Sequence, residues 1–135
     1  MIDKAVVYAS SLGKTRKTAT YIAKSLKAEA FDLKKQTVID LSEYKQIIFG
    51  TGIHAGRPYG PLVKFLEENK KQLAGKKVSL FICCKLSDEN GKKQAEKISS
   101  QLDIPDVYFF PGGGEKNDEG FVKVVDEFIV RMSKR

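Results

Sequence analysis

The chain has one histidine and two cysteines, and the cysteines are neighbours, Cys83-Cys84. A disulfide between adjacent residues is strained, and two thiols with one imidazole do not complete a zinc site. Neither a disulfide scaffold nor structural zinc is therefore expected. Cys83 continues an apolar run and reads as a small core hydrophobe. Cys84 falls near the end of that run, where a redox role would need an exposed, activated thiolate. No apolar stretch approaches the roughly 18–20 residues that span a bilayer. Met1-Ile2-Asp3-Lys4 enters a strand pattern without the layout of a signal peptide, so a cytoplasmic location is expected. Repeats, linkers and low-complexity segments are also missing. At 135 residues the expectation is one domain, 1–135, with a proper core.

Acidic residues are the scarcer charge, 17 against 24 lysines and arginines, for a net charge of +7. The lysines are scattered in pairs such as Lys34-Lys35 and Lys92-Lys93, with no basic tract of five and no RNA-binding aromatic signature. This reads as a solvated lysine surface, with no nucleic acid expected. The same charge would favour an acidic protein partner.

What is present is a regular alternation. Residues 4–9 read as a buried strand and 15–28 as a helix with Tyr21, Ile22, Ala23 and Leu26 at helical spacing. A short strand over 28–33 follows, then a strong one over 46–50; the segment between them is too short for a full helix, with a turn near Leu41-Ser42-Glu43-Tyr44. Pro61 opens a helix that runs through Leu73 and closes at Ala74-Gly75. Residues 77–84 form a buried strand, 91–102 a helix and 106–110 a strand. Asn117 or Asp118 is placed to cap a last helix with Phe121, Val124, Val125, Phe128 and Ile129 on its apolar face. Five strands alternating with helices predict an α/β fold, a parallel sheet covered on both faces. The common order for five such strands is 2-1-3-4-5, with the ligand crevice beyond their carboxyl ends between the first and third. The loops to inspect are thus 10–15, 51–60 and 84–91.

The first, Ser10-Ser11-Leu12-Gly13-Lys14-Thr15, joins a strand end to a helix start. Unpaired backbone N–H groups and the helix dipole favour an anion there. The hydroxyls of Ser10, Ser11 and Thr15 add donors, and Gly13 allows close approach. The bland alternative is an ordinary capped turn. A nucleotide P-loop is ruled out, because the glycine it needs five positions before Gly13 is Tyr8. A phosphoacceptor domain would want aspartates where Ser10 and Thr51 stand.

The second loop, Thr51-Gly52-Ile53-His54-Ala55-Gly56-Arg57-Pro58-Tyr59-Gly60, has glycines suited to a flat ligand. His54 is either a solvated loop residue or a proton donor. Tyr59 is either a satellite of the core or a stacking surface. The third loop, from Cys84 through Lys85, Leu86 and Ser87 to Gly91, carries acids and an amide suited to capping the next helix.

Together these segments resemble the flavodoxin-like family. The carrying residues are Tyr8 to Thr15 with Ile22-Ala23, and Tyr44 to Gly56. Within the family they are most similar to the subfamily containing bacterial flavodoxin-type protoporphyrinogen oxidases. The resemblance implies a three-layer sandwich that binds FMN. Ser10, Ser11, Gly13, Lys14 and Thr15 would hold its phosphate. Thr51, Gly52, Ile53, His54, Ala55 and Gly56 would flank the ring, with the Ala55-Gly56 peptide near flavin N5. Cys84, Lys85, Leu86 and Ser87 would approach the pyrimidine end. The implied function is electron transfer with a redox protein, an acidic one by charge complementarity, or with a quinone. The alternatives are a flavin oxidoreductase acting on a quinone or porphyrinogen, and a flavin-free scaffold. The chain departs from the family at Leu12, where threonine is usual, in its positive charge, and in lacking the long insertion that those oxidases carry after the fifth strand.

Overall fold

A computed structural model describes residues 3–10, 13–54, 57–84, 89–111 and 115–135, with the backbone alone at His54, Cys84, Glu89 and Asn90. The elements in chain order are β1 (Lys4–Ala9), α1 (Lys14–Leu26), β2 (Glu29–Asp32), β3 (Gln46–His54), β4 (Arg57–Pro58), α2 (Gly60–Glu68), α3 (Lys70–Leu73), β5 (Lys77–Cys84), α4 (Glu89–Leu102), β6 (Val107–Pro111) and α5 (Lys123–Ser133). The main sheet is parallel in the order β2-β1-β3-β5-β6, and β4 pairs antiparallel with the end of β3. With the two-residue β4 set aside, this is the predicted 2-1-3-4-5 order.

Strands that are apolar at consecutive positions must be covered on both faces. One face buries Val6, Tyr8, Ile48 and Phe81 against Ile22 of α1 and Phe128 of α5. The other buries Val7, Phe49, Leu80 and Ile82 against Leu62 and Phe65 of α2 and Ile98 of α4. No helix among the described residues is long and apolar enough to cross a membrane. Cys83 lies in the first of these cores, 6% exposed, as a small hydrophobe.

Most boundaries fall within two residues of the sequence expectation; three differ by more, each for a local reason. The helix from Pro61 breaks at Asn69, whose side chain donates to the Phe65 carbonyl (2.8 Å) and leaves a single further turn, α3. The last helix begins at Lys123, so neither Asn117 nor Asp118 is its cap. The Asn117 side-chain oxygen instead accepts from the nearer N–H groups of Glu119 (2.9 Å) and Phe121 (3.0 Å). Its amide donates to Tyr21 Oη (3.1 Å) and Asp126 (2.9 Å), and Phe121 stacks on the Tyr21 ring. The third strand runs on to His54, because Ile53 and His54 pair with Pro58 and Arg57.

The stretch between β2 and β3 is held without a helix of its own. Gln72 of α3 donates to the Ile39 carbonyl (3.2 Å) and accepts from the Leu41 N–H (2.9 Å). Its partners satisfy backbone groups that a helix would otherwise pair internally. Ile39 and Leu41 thereby reach the α2 side of the core, while Tyr44 N–H closes the expected turn onto Leu41.

At the opposite end of the sheet from the predicted loops, Asp106 gathers Ser79, Tyr108 and Arg135. Burial opposes ionisation of Asp106, but hydrogen bonds from Arg135, Ser79 and Tyr108 outweigh it and hold the carboxyl below its ordinary 3.8. A carboxylate with a lowered folded pKa stabilises fully above the unfolded value, and that contribution is lost as pH falls through the folded one. The stability advantage of the native chain over Asp106→Asn is thus expected to shrink in urea melts as pH falls from about 6 to about 3. A difference that does not vary with pH would show that the Asp106 charge contributes nothing.

Candidate functional site

β1 ends at Ala9, and the chain turns into α1 through Gly13, whose φ of 87° lies in the left-handed region that glycine occupies without strain. The Ser10 hydroxyl accepts from the Gly13 N–H (3.1 Å), so Ser10 shapes the turn as well as bordering it. Among the described residues no side chain caps α1, and its first turn holds no acid. The start of this 13-residue helix is therefore positive by its dipole and by Lys14, Arg16 and Lys17, all exposed. Thr15, by contrast, is 3% exposed. Its hydroxyl faces Gly52: a Cβ built on Gly52 would lie 3.2 Å from Thr15 Oγ1.

The end of β3 supplies the other wall. Thr51 is fully buried, and its hydroxyl donates to the Gly52 carbonyl (2.9 Å) and accepts from the Tyr59 N–H (3.2 Å). This predicted ligand residue therefore fastens the chain entering α2. Ile53 packs half-buried on the α2 side of the core. Tyr59 packs there as well, and its hydroxyl reaches the bare Cα of Gly52, where a Cβ would lie 2.8 Å from it. Ser10, Gly13, Lys14, Thr15, Thr51 and Gly52 are thus gathered at the carboxyl ends of β1 and β3. The backbone of His54 follows in β3, and that of Cys84 ends β5 opposite Pro111. Ser11, Ala55, Gly56, Lys85, Leu86 and Ser87 lie outside the described residues.

Of the two readings the sequence left open for Tyr59, core satellite and stacking surface, the structure shows the ring packed on the core, and the placement of its hydroxyl over Gly52 was in neither. The available signal was a glycine placed seven positions before an aromatic at a helix start, which becomes meaningful only once β3 turns back through β4.

Electrostatics at this end favour anions. Burial and the Asp32 charge raise the Tyr8 phenol above its ordinary 10.0, while the nearby Arg16 cation opposes them. Next to the start of α1, a cavity of about 120 Å³ is rimmed by Lys14, Lys17 and Lys116 over Phe110 and Val125. No group of three His, Cys, Asp or Glu side chains among the described residues is placed to hold a metal ion. The arrangement suits an anionic group seated on backbone and hydroxyl donors, with a larger body extending toward β3 and β5.

Residues 5–132 match the family model of the flavodoxin domain. The chain belongs to the flavodoxin domain family. Among curated proteins no relative matches this flavodoxin domain by sequence. Solved structures share its fold. Oxidised flavodoxin 2 from Bacillus cereus superposes with a TM-score of 0.76 at 20% identity, covering 98% of each chain. A WrbA-like flavodoxin from Agrobacterium tumefaciens gives 0.71 at 16%, covering 99% of this chain and 94% of its own. A flavoprotein from Lactobacillus acidophilus NCFM, solved in complex with FMN, gives 0.61 at 16%, covering 82% and 91%. The donor set of this flavodoxin domain fits the phosphate end of such a flavin. A glycine floor at Gly52, which any side chain would fill, lies beneath the Thr15 hydroxyl beside a helix start without a side-chain cap.

Proposed function

We propose that this flavodoxin domain binds FMN and works as an electron carrier. The observation that carries the reading is the start of α1, with no side-chain cap, set beside Ser10, Gly13 and Thr15 and facing the bare Gly52. FMN, when bound, supplies one- and two-electron transfer, while the protein sets its orientation, potential and access. The Thr15 hydroxyl and the first N–H groups of α1 hold the phosphate, and Ser10 keeps Gly13 in the conformation that aims them. Ser11 and Lys14 add donors from the same loop. By the family resemblance, Thr51, Gly52, Ile53, His54, Ala55 and Gly56 would flank the ring on one side, and Cys84, Lys85, Leu86 and Ser87 would approach it on the other. The net charge of +7 favours an acidic redox protein as partner, with a quinone as the small-molecule alternative. A role on a quinone or porphyrinogen as an enzyme would add a substrate site to these requirements; the carrier reading needs only the cofactor and access to it. A cytoplasmic location accords with this role.

The direct test is the visible absorption spectrum of the purified protein, followed by an FMN titration read by flavin fluorescence. Flavin bands or saturable binding near micromolar support the reading; a colourless protein indifferent to FMN favours a flavin-free scaffold. Thr15→Ala is expected to weaken FMN binding by roughly 1–2 kcal/mol, near the lower end of the range for a hydrogen bond to a charged group. Unchanged affinity in the same titration would remove Thr15 from the phosphate site.

A further inference from the structure

The Tyr59 side chain is placed with unusual care for a loop residue. Its backbone N–H is tied to the fully buried Thr51 hydroxyl (3.2 Å). Its ring packs on the α2 side of the core. Its hydroxyl nevertheless lies over Gly52, at the junction with the start of α1. One point, the site of a missing Cβ on Gly52, lies 2.8 Å from the Tyr59 hydroxyl and 3.2 Å from the Thr15 hydroxyl. Any side chain at position 52 would displace one or both. The absent side chain thus brings together two hydroxyls from segments 44 positions apart in the sequence, beside a basic helix start.

We infer that Tyr59 is a phosphate-binding residue whose phenol O–H donates to a phosphate oxygen alongside Thr15, the two hydroxyls being drawn together by their close packing on the bare Gly52. This rests on the FMN reading above and extends it: the phosphate cradle is built from three segments, the loop before α1, the end of β3 and the residue before α2. A phenol is suited to this place. Its O–H can donate, and it stands on a flat ring that loses little conformational freedom when held. Its position at the N-cap of α2 means that filling the cradle couples the phosphate to the start of that helix.

The test compares Tyr59→Phe with the native chain, titrating each with FMN and with riboflavin, which lacks the phosphate. The variant keeps the ring and its packing and removes only the O–H. The expected result is about a tenfold loss of FMN affinity, the scale of one hydrogen bond to a charged group, with riboflavin affinity unchanged. A parallel loss for both ligands would make Tyr59 a packing residue and overturn the proposal, as would an FMN affinity equal to native. If the native chain binds no FMN, the flavin reading itself fails and this inference with it; if native binding is intact and only the Tyr59→Phe result is negative, this inference fails alone. Gly52→Ala supplies a second check. Its methyl would intrude on the Tyr59 and Thr15 hydroxyls together, so it is expected to weaken FMN at least as much as Tyr59→Phe. FMN affinity retained in Gly52→Ala would overturn the three-segment cradle.

Discussion

Gly50→Ala is expected to destabilise the fold by about 3 kcal/mol, the upper end of what one inserted methyl does in a packed core. Gly50 pairs with Phe81 across β3 and β5 and is the place where the Phe81 ring lies flat on the sheet. A Cβ there would meet three ring carbons of Phe81 at 2.2, 2.5 and 2.7 Å. The ring has no easy retreat. It is stacked on Phe110 (centroids 5.2 Å) and edges onto Phe128 (6.1 Å), and those two rings also pack on each other at 5.4 Å. Relief therefore has to come from moving α5 or parting the central strands. In urea denaturation the variant should show a lower midpoint with a native-like slope. Phe81→Ala alone is expected to lose about 3–5 kcal/mol through the cavity it opens. The double variant should lose less than the two singles together by more than about 1 kcal/mol, because the new methyl then occupies vacated space. Additive losses would mean that Gly50 is required for a backbone reason, not for the ring.

How far the sequence carried the argument differs from element to element. The sheet order and the turn from β1 into α1 were legible because both are written locally: apolar runs bounded by turn residues give the strands, and hydroxyl-x-x-Gly-x-Thr directly before a helical pattern gives the turn. Asn117 misled because its side chain had two backbone offers, and the Asx-type bonds to Glu119 and Phe121 are closer along the chain than any first turn of α5. The extension of β3 was hidden by its glycines, which read as loop residues until Ile53 and His54 found partners in Pro58 and Arg57. Thr51 was legible as a hydroxyl at a strand end, but its orientation was not. Within a strand, alternate residues face opposite sides, and Thr51 shares the α2 side with Phe49 and Ile53, where its oxygen serves Tyr59. Tyr59 itself depends on an atom that Gly52 does not have, and such an absence has meaning only in three dimensions.

Riboflavin is expected to bind this protein at least a hundredfold more weakly than FMN, a difference of about 3 kcal/mol. The two ligands differ only in the phosphate, which carries roughly −1.5 to −2 charges near neutral pH. A hydrogen bond to a charged group contributes about 1.5–3 kcal/mol, and a helix start in a partly buried setting up to about 2 kcal/mol. Thr15 and the first turn of α1 therefore reach the expected difference without the lysines. The lysines can be separated by salt. Lys14, Arg16 and Lys17 are exposed, and attraction from exposed charges is screened within about 3 Å at 1 M ionic strength. Thr15 is buried, and a bond from it to the phosphate would act at contact range, where screening is weak. The ratio of riboflavin to FMN dissociation constants should thus fall on going to about 1 M salt but remain well above tenfold. A ratio that collapses toward one would assign phosphate recognition to diffuse surface charge, and the shaped turn at Ser10 and Gly13 would then be structural only. A ratio that persists at high salt and falls in Thr15→Ala places recognition in the buried donors of the cradle, so that the basic surface serves chiefly to bring an anionic partner or cofactor to it.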